Sequence, residues 1–320
     1  MRRWLAPVAV ATLAAGCVTH VPVGADYRGP VSLPAALVAP LEAEAGAEVA
    51  VVTETVRKRP DFIVRQVELV PGPAAETPIE FEYYEVRADA PTPVIVLLPI
   101  FNGQLSITRY FARYFANQGW RAVVVTRKRD PLEQIDDVED IIRANLDDYR
   151  RVLDWVEEQH DIDPTRVGVF GISLGAMDAV MLTALDRRID ALVAAMAGGD
   201  LAQLMMDTRY RRVARTVDRM LDEGGTTREG LLESMEQRIA IDPLTLAPYV
   251  DAQRVLLVMT RTDAIVPFEL QDELRESMGE PETLYLPTGH RSSVVYFPLL
   301  RNSAFEFFER QFRGEFIAAR

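Results

Sequence analysis

Gly171-Ile172-Ser173-Leu174-Gly175 sets a serine between two glycines, directly after the apolar run Val167–Phe170 and before a helical pattern opening near Ala176. Alone, such a pentapeptide arises by chance; between a strand and a helix it reads as a nucleophile on a sharp turn. Side chains two residues before and two after that serine would collide, which Gly171 and Gly175 avoid. Ser173 then stands above the end of a sheet, and the Leu174 backbone N–H, at a helix N-terminus, becomes an oxyanion donor. A serine hydroxyl needs a base to take its proton. Of the three histidines, His20 lies three residues past the single cysteine and His160 closes a helical stretch. His290 remains, in a loop after the short apolar segment Glu282–Leu286. Its imidazole needs a carboxylate to fix the tautomer. Asp263, just after the run Val255–Met259, is the candidate, with Asp200 and Asp251 as alternatives.

These residues need strand ends to hold them. Phe62–Leu69 and Ile79–Val86 alternate in character across a Pro- and Gly-bearing turn, as antiparallel strands with one wet face do. Val94–Leu98, Ala122–Val125, Val167–Ile172, Ala191–Met196 and Val255–Met259 are continuous apolar runs, suited to strands buried on both faces of a parallel sheet. Helical patterns at Thr108–Asn117, Asp136–His160, Ala176–Leu185 and Glu269–Met278 separate them. The expected fold is α/β: a mostly parallel central sheet flanked by helices, with antiparallel strands at its start. Residues 198–248 lack a strand pattern, and Leu201–Arg219 and Arg228–Ile239 read as helices, a small helical cap insertion over the sheet's ligand-binding edge. Ser173, Asp263 and His290 all fall on loops at strand ends.

The order Ser173, Asp263, His290 is that of the α/β-hydrolases, and the chain from about Val94 to Gln311 resembles that superfamily. The stretch Asp161–Gly175 looks like the approach to the nucleophile in the branch holding dienelactone hydrolases, acetyl esterases and prolyl-oligopeptidase-type enzymes. The resemblance implies a catalytic triad of Ser173, Asp263 and His290, with no metal and no organic cofactor. It also implies a second oxyanion donor on the loop after Val94–Leu98, where the Phe101 N–H is the choice and Asn102 the next. The family usually carries His-Gly where this sequence has Pro99 and Ile100, a departure that bears on efficiency more than on reaction type. The implied activity is carboxylic ester hydrolysis on a small-molecule ester or acyl substrate. Peptide or amide cleavage and thioester hydrolysis stay open on the same triad, as does a catalytically silent binding protein of this fold.

Met1–Cys17 carries Arg2 and Arg3 before an apolar run ending in Ala14, Ala15 and Gly16. That run is too short to span a hydrocarbon core about 30 Å thick and suits a secretory signal. It resembles a bacterial lipoprotein signal, which implies cleavage after residue 16 and a lipid on Cys17. With Val18 and Thr19 rather than Asp after the cysteine, the resemblance implies an outer-membrane lipoprotein facing the periplasm. Residues 17–47 read as a lipidated tether, with one short helix near Pro34–Ala45, and residues 48–320 as the hydrolase domain.

The whole chain has 35 basic and 48 acidic residues, a formal charge of −13. Without Arg2 and Arg3, 33 basic residues face 48 acidic ones, leaving −15. A field of that sign argues against nucleic acid as a partner, and membrane attachment must come from the lipid on Cys17. One cysteine excludes an intramolecular disulfide, and three histidines leave little for a metal site. The oligomeric state is open. So are the clusters Arg127-Lys128-Arg129 and Arg209, Arg211, Arg212 and Arg215, which read either as anion-binding patches or as solvated charge. Met205 and Met206, with Leu201 and Leu204, form the inner face of the cap as core or acyl-pocket lining. Asp178, in the helix behind Ser173, has no role the sequence supplies.

Overall fold

A computed structural model describes residues 18–35, 50–70, 77–133 and 137–315. Met1–Cys17, with the expected signal and lipidation site, and most of the expected helix at Pro34–Ala45 lie outside the described residues.

The strands are β1 Thr19–Val21, β2 Ala50–Lys58, β3 Phe62–Val70, β4 Ile79–Val86, β5 Thr92–Leu97, β6 Arg121–Val125, β7 Ile162–Ile172, β8 Ala191–Ala195, β9 Val255–Thr260 and β10 Glu282–Leu286. They form one mixed sheet in the order β1-β10-β9-β8-β7-β5-β6-β4-β3-β2. From β6 to β10 the neighbours are parallel, while β2, β3 and β4 pair antiparallel along one flank. The expected α/β fold with antiparallel strands at its start is present. The helices are α1 Leu105–Asn117, α2 Val138–Glu158, α3 Leu174–Leu185, α4 Leu201–Asp207, α5 Arg211–Gly224, α6 Arg228–Arg238, α7 Pro243–Leu246, α8 Phe268–Ser277 and α9 Phe297–Phe312.

Both sheet faces are covered, which is why the central strands are apolar without alternation. Along β9, Val255, Leu257 and Met259 face the core under α2, α3 and α8, and Leu256 and Val258 face the core under α1 and α9. The strand order reverses at β5: β6 lies on one side of it and β7 on the other. A crevice opens at such a switch point, at the carboxyl ends of the strands. The loop after β5 and the Ser173 turn after β7 meet there.

Three features depart from the sequence reading. Thr19–Val21 is not tether: it pairs antiparallel with β10, Thr19 opposite Tyr285 and Val21 opposite Thr283. His20 there bonds Glu282 at 2.8 Å, and Gly24 N–H donates to the Glu280 carbonyl. Backbone pairing, more than any apolar pattern in three residues, makes this strand. Second, β2 is an edge strand whose Val51, Val52 and Val56 are all exposed, so no buried face marks it in the sequence. Third, the helix expected over Leu201–Arg219 breaks at Thr208. Its hydroxyl donates to the Ile265 carbonyl at 2.7 Å and accepts from Tyr210 N–H, while Arg209 N–H donates to Ala264. Long-range bonds to the loop after β9 outcompete one further helical turn.

Candidate active site

Ser173 sits between β7 and α3 with φ 57° and ψ −127°. This conformation costs a non-glycine residue roughly 1–3 kcal/mol and persists only when its surroundings impose it. Here the Ser173 N–H donates to the Ala195 carbonyl at 2.8 Å, and its carbonyl accepts from Ala176 and Met177. The flanking glycines answer to close backbone contacts. A Cβ on Gly171 would stand 2.1 Å from the Gly175 carbonyl oxygen, and one on Gly175 would stand 2.6 Å from the Leu98 carbonyl oxygen. The second contact shows that the start of α3 lies directly against the loop after β5.

That adjacency concerns the two expected oxyanion donors. Leu174 is the first residue of α3, and Phe101 is the first of the short 3-10 turn Phe101–Gly103. First-turn N–H groups have no acceptor within their own helix and are available to a ligand. Pro99 and Ile100, standing where the family usually has His-Gly, use their carbonyls for support: both accept from Arg127, at 2.8 and 3.1 Å.

Asp263 and His290 come together at the ends of β9 and β10. His290 Nδ1 lies 2.8 Å from Asp263 Oδ2, which also accepts from the Thr260 hydroxyl at 2.6 Å. The other oxygen, Oδ1, accepts from the N–H groups of Ile265 and Val266 at 2.9 and 3.0 Å. Burial alone would raise the Asp263 pKa. The hydrogen bond and charge of His290, helped by Thr260 and Val266, outweigh it and hold the carboxyl below its usual value. The alternative acids have other partners. Asp200 caps α4, accepting from Gln203 N–H at 2.9 Å, and Asp251 accepts from Tyr27 and Gln253.

Ser173 and His290 line one cavity of about 470 Å³, with Phe101, Met177, Met205 and Val213 among its apolar walls. This is the size range of small-molecule sites. The insertion α4–α7 supplies Leu204, Met205, Thr208, Tyr210 and Val213 to it, and Phe101 packs edge-on against Tyr210 at 4.9 Å. Met205 therefore has both readings given above, since it is buried and also lines the cavity. Asp242, unmarked in the sequence, ties the insertion down: its carboxylate accepts from the N–H groups of Asp200, Leu201 and Leu244.

Arg127 and Asp178, whose roles the sequence leaves open, meet in the structure. Arg127 is wholly buried, bonded to Asp178 at 2.5 Å, Asp130 at 2.9 Å and the Tyr149 hydroxyl at 3.2 Å. Tyr149 in turn donates to Asp178 at 2.9 Å. Burial works to lower the Arg127 pKa, but Asp178, Tyr149 and Asp130 raise it on balance, so its charge is fixed. Arg127 is thus neither a surface patch nor solvated; with Asp178 on α3 it pins the Pro99–Phe101 loop to the helix behind Ser173. An arginine at a strand end and an acid in the buried helix after Ser173 were the available signal, but their pairing spans 51 residues. Among the described residues no group of three or more His, Cys, Asp or Glu could hold a metal ion, and no helix is long and apolar enough to cross a membrane.

The sequence model described as X-Pro dipeptidyl-peptidase (S15 family) matches residues 87–256, more than half of the chain. The chain belongs to this family. It is accordingly a hydrolase of the α/β-hydrolase superfamily. A thiohydrolase of Eupenicillium brefeldianum is 22% identical over 245 residues, spanning 62% of this chain and 78% of the fungal one. Acetyl xylan esterase 1 of Thermoanaerobacterium sp. JW/SL YS485 has the same fold, with a TM-score of 0.65 and 14% identity over 85% of this chain and 90% of its own. The acylaminoacyl peptidase of Pyrococcus horikoshii shares it at a TM-score of 0.57 and 15% identity, over 78% of this chain and 42% of the peptidase.

Proposed function

We propose that this S15-family chain is a serine hydrolase of carboxylic esters, held in the bacterial envelope by a lipid on Cys17. In this reading Ser173 Oγ attacks the ester carbonyl carbon while His290 takes its proton. The Leu174 and Phe101 N–H groups receive the oxyanion. Collapse breaks the bond to the alcohol, whose oxygen takes the proton from His290. Water, deprotonated by His290, then releases the acid and restores Ser173. Asp263 orients the imidazole throughout.

The observation that carries the reading is the Asp263–His290 hydrogen bond at 2.8 Å, with His290 in the same apolar cavity as the strained Ser173. The anchor rests on the residue types of Met1–Cys17 and on the single cysteine standing at the expected cleavage site; Val18 and Thr19, in place of an Asp after that cysteine, support an outer-membrane, periplasm-facing location.

The family's name favours a second reading, release of X-Pro dipeptides from the N-terminus of a peptide. That reaction selects a free N-terminal ammonium, for which a carboxylate is the natural partner. Among the described residues, the cavity is lined by no Asp or Glu. The fungal thiohydrolase keeps thioesters within the substrate class, since a thiolate leaves from the same tetrahedral intermediate. A fluorophosphonate probe on wild type and Ser173→Ala tests the enzyme: labelling of folded wild type alone is expected, and labelling of neither would falsify it. A panel of p-nitrophenyl esters, acyl thioesters and X-Pro p-nitroanilides then separates the substrates, with hydrolysis of the anilides alone refuting the ester reading. Cys17→Ser should release the chain from membranes.

A further inference from the structure

The geometry points to the rim of the catalytic cavity as the surface this domain lays against a lipid bilayer. The inference rests on the proposed ester hydrolysis and on the proposed lipid at Cys17, and adds where the substrate comes from: the bilayer side.

The register of β1 is the first observation. Thr19 stands opposite Tyr285 and Val21 opposite Thr283, so the chain enters the sheet from the carboxyl end of β10. His290 follows that same end by four residues, after Leu286. Val18 already packs on the core under α9. Residue 17 is two positions before Thr19, at most about 7 Å of chain. A lipid on Cys17 would therefore hold the membrane close to the catalytic end of the sheet, with no tether to let the domain turn away.

The second observation is independent of the N-terminus. Val294 (54% exposed), Val295 (69%) and Leu299 (38%) follow His290 on the short turn Ser292–Tyr296 and the start of α9. The other exposed large apolar side chains among the described residues are Val31 and a group at the opposite sheet edge, Val51, Val52, Val56 and Val70. A clustered apolar patch on the lip of a cavity marks a contact surface, and Val294 lines the cavity itself.

Charge is the third. Arg291, exposed, also lines the cavity. Arg261, likewise exposed, lies over the Tyr285 ring at 4.5 Å, beside the residue that pairs with Thr19. On a chain of net charge −13 this rim joins cations to apolar side chains. That combination suits an anionic headgroup layer above acyl chains. Substrate entering past Val294 and Arg291 would come from the membrane surface as an acyl ester partitioned there.

The test uses the full-length lipidated chain in vesicles of phosphatidylethanolamine and phosphatidylglycerol. Bimane is placed on Val295→Cys and, as control, on Glu158→Cys, exposed at the end of α2 beside the amino end of β7. Brominated lipid should quench position 295 at least twofold and leave position 158 unchanged. Equal quenching at both sites, or none at 295 on vesicle-bound protein, overturns the inference. A bimane blue shift that needs no vesicles and grows with protein concentration also overturns it, in favour of a second copy on the patch. Failure of the chain to float with vesicles refutes the anchor and this inference together. The double variant Val295→Glu, Leu299→Glu should hydrolyse a vesicle-dissolved p-nitrophenyl ester about tenfold more slowly and aqueous p-nitrophenyl acetate at the wild-type rate. An equal rate on the vesicle ester counts against the rim. If wild type hydrolyses neither ester, the ester reading falls, and the bimane pair still decides which surface meets the bilayer.

Discussion

Arg127 Nη2 lies 2.5 Å from the Asp178 carboxylate and 2.8 Å from the Pro99 carbonyl oxygen, so one buried guanidinium joins the helix behind Ser173 to the loop carrying Phe101. A lysine ammonium cannot reach Asp178, Asp130 and two carbonyls from one planar fork. Arg127→Lys should lower kcat about 10–100-fold with KM within about threefold, since losing a whole oxyanion donor costs roughly 10²–10³. Affinity for a trifluoromethyl ketone, which binds as a tetrahedral oxyanion, should fall in parallel. A rise in KM at constant kcat would instead mean that Arg127 serves the cavity wall. Arg127→Met should also cost about 3–5 kcal/mol in urea unfolding, because it strands Asp178 as a buried charge.

Asp263 supplies a pH prediction. Its carboxyl is held below the ordinary value near 3.8, principally by His290 against the cost of burial. A depressed folded pKa contributes stability that is fully present above the unfolded pKa and is lost as pH falls through the folded one. Asp263→Asn should therefore melt below wild type at pH 6, and the gap should close as pH falls below about 3.8. A gap that widens on acidification would reverse the assigned sign. At neutral pH the same variant should lose kcat on the order of 10⁴-fold, the scale set by a mis-set histidine tautomer.

Thr208 couples the insertion to the loop of Asp263. Thr208→Val removes the donor to Ile265 O and the acceptor for Tyr210 N–H. Differential scanning calorimetry should register a loss of about 1–2 kcal/mol. KM should rise several-fold as well, because Thr208, Tyr210 and Ile265 all line the cavity. Unchanged KM would show that the break in the helix does not shape the site.

The apolar walls predict a chain-length profile. Each methylene buried contributes about 0.8 kcal/mol, so kcat/KM should climb roughly fourfold per carbon from acetyl upward until the cavity is filled. Met205→Trp should end that climb several carbons earlier while leaving acetate hydrolysis close to wild type. A flat profile would place the acyl group outside these walls.

The sequence made Ser173 readable because its glycines, strand and helix are contiguous, and His290 because only three histidines exist. The parallel strands were readable because burial on both faces leaves an unbroken apolar run. Thr19–Val21 and Ala50–Lys58 were not, since edge strands owe their structure to backbone pairing with a neighbour and the side chains described on them are mostly exposed. Nor was the break at Thr208, which answers to Ile265, distant by 57 residues.

The amino-acid sequence by itself determined the α/β class, the elbow serine and the candidate base, because each is written in local pattern or in scarcity. Only the tertiary structure decided that Asp263 rather than Asp200 meets His290, that Arg127 is a buried strut, and that the N-terminal strand enters at the carboxyl end of β10. Those are relations between charges and backbone groups far apart along the chain. Hydrogen bonding at about 3 Å in a site screened from water selects such partners, and linear spacing carries no record of it.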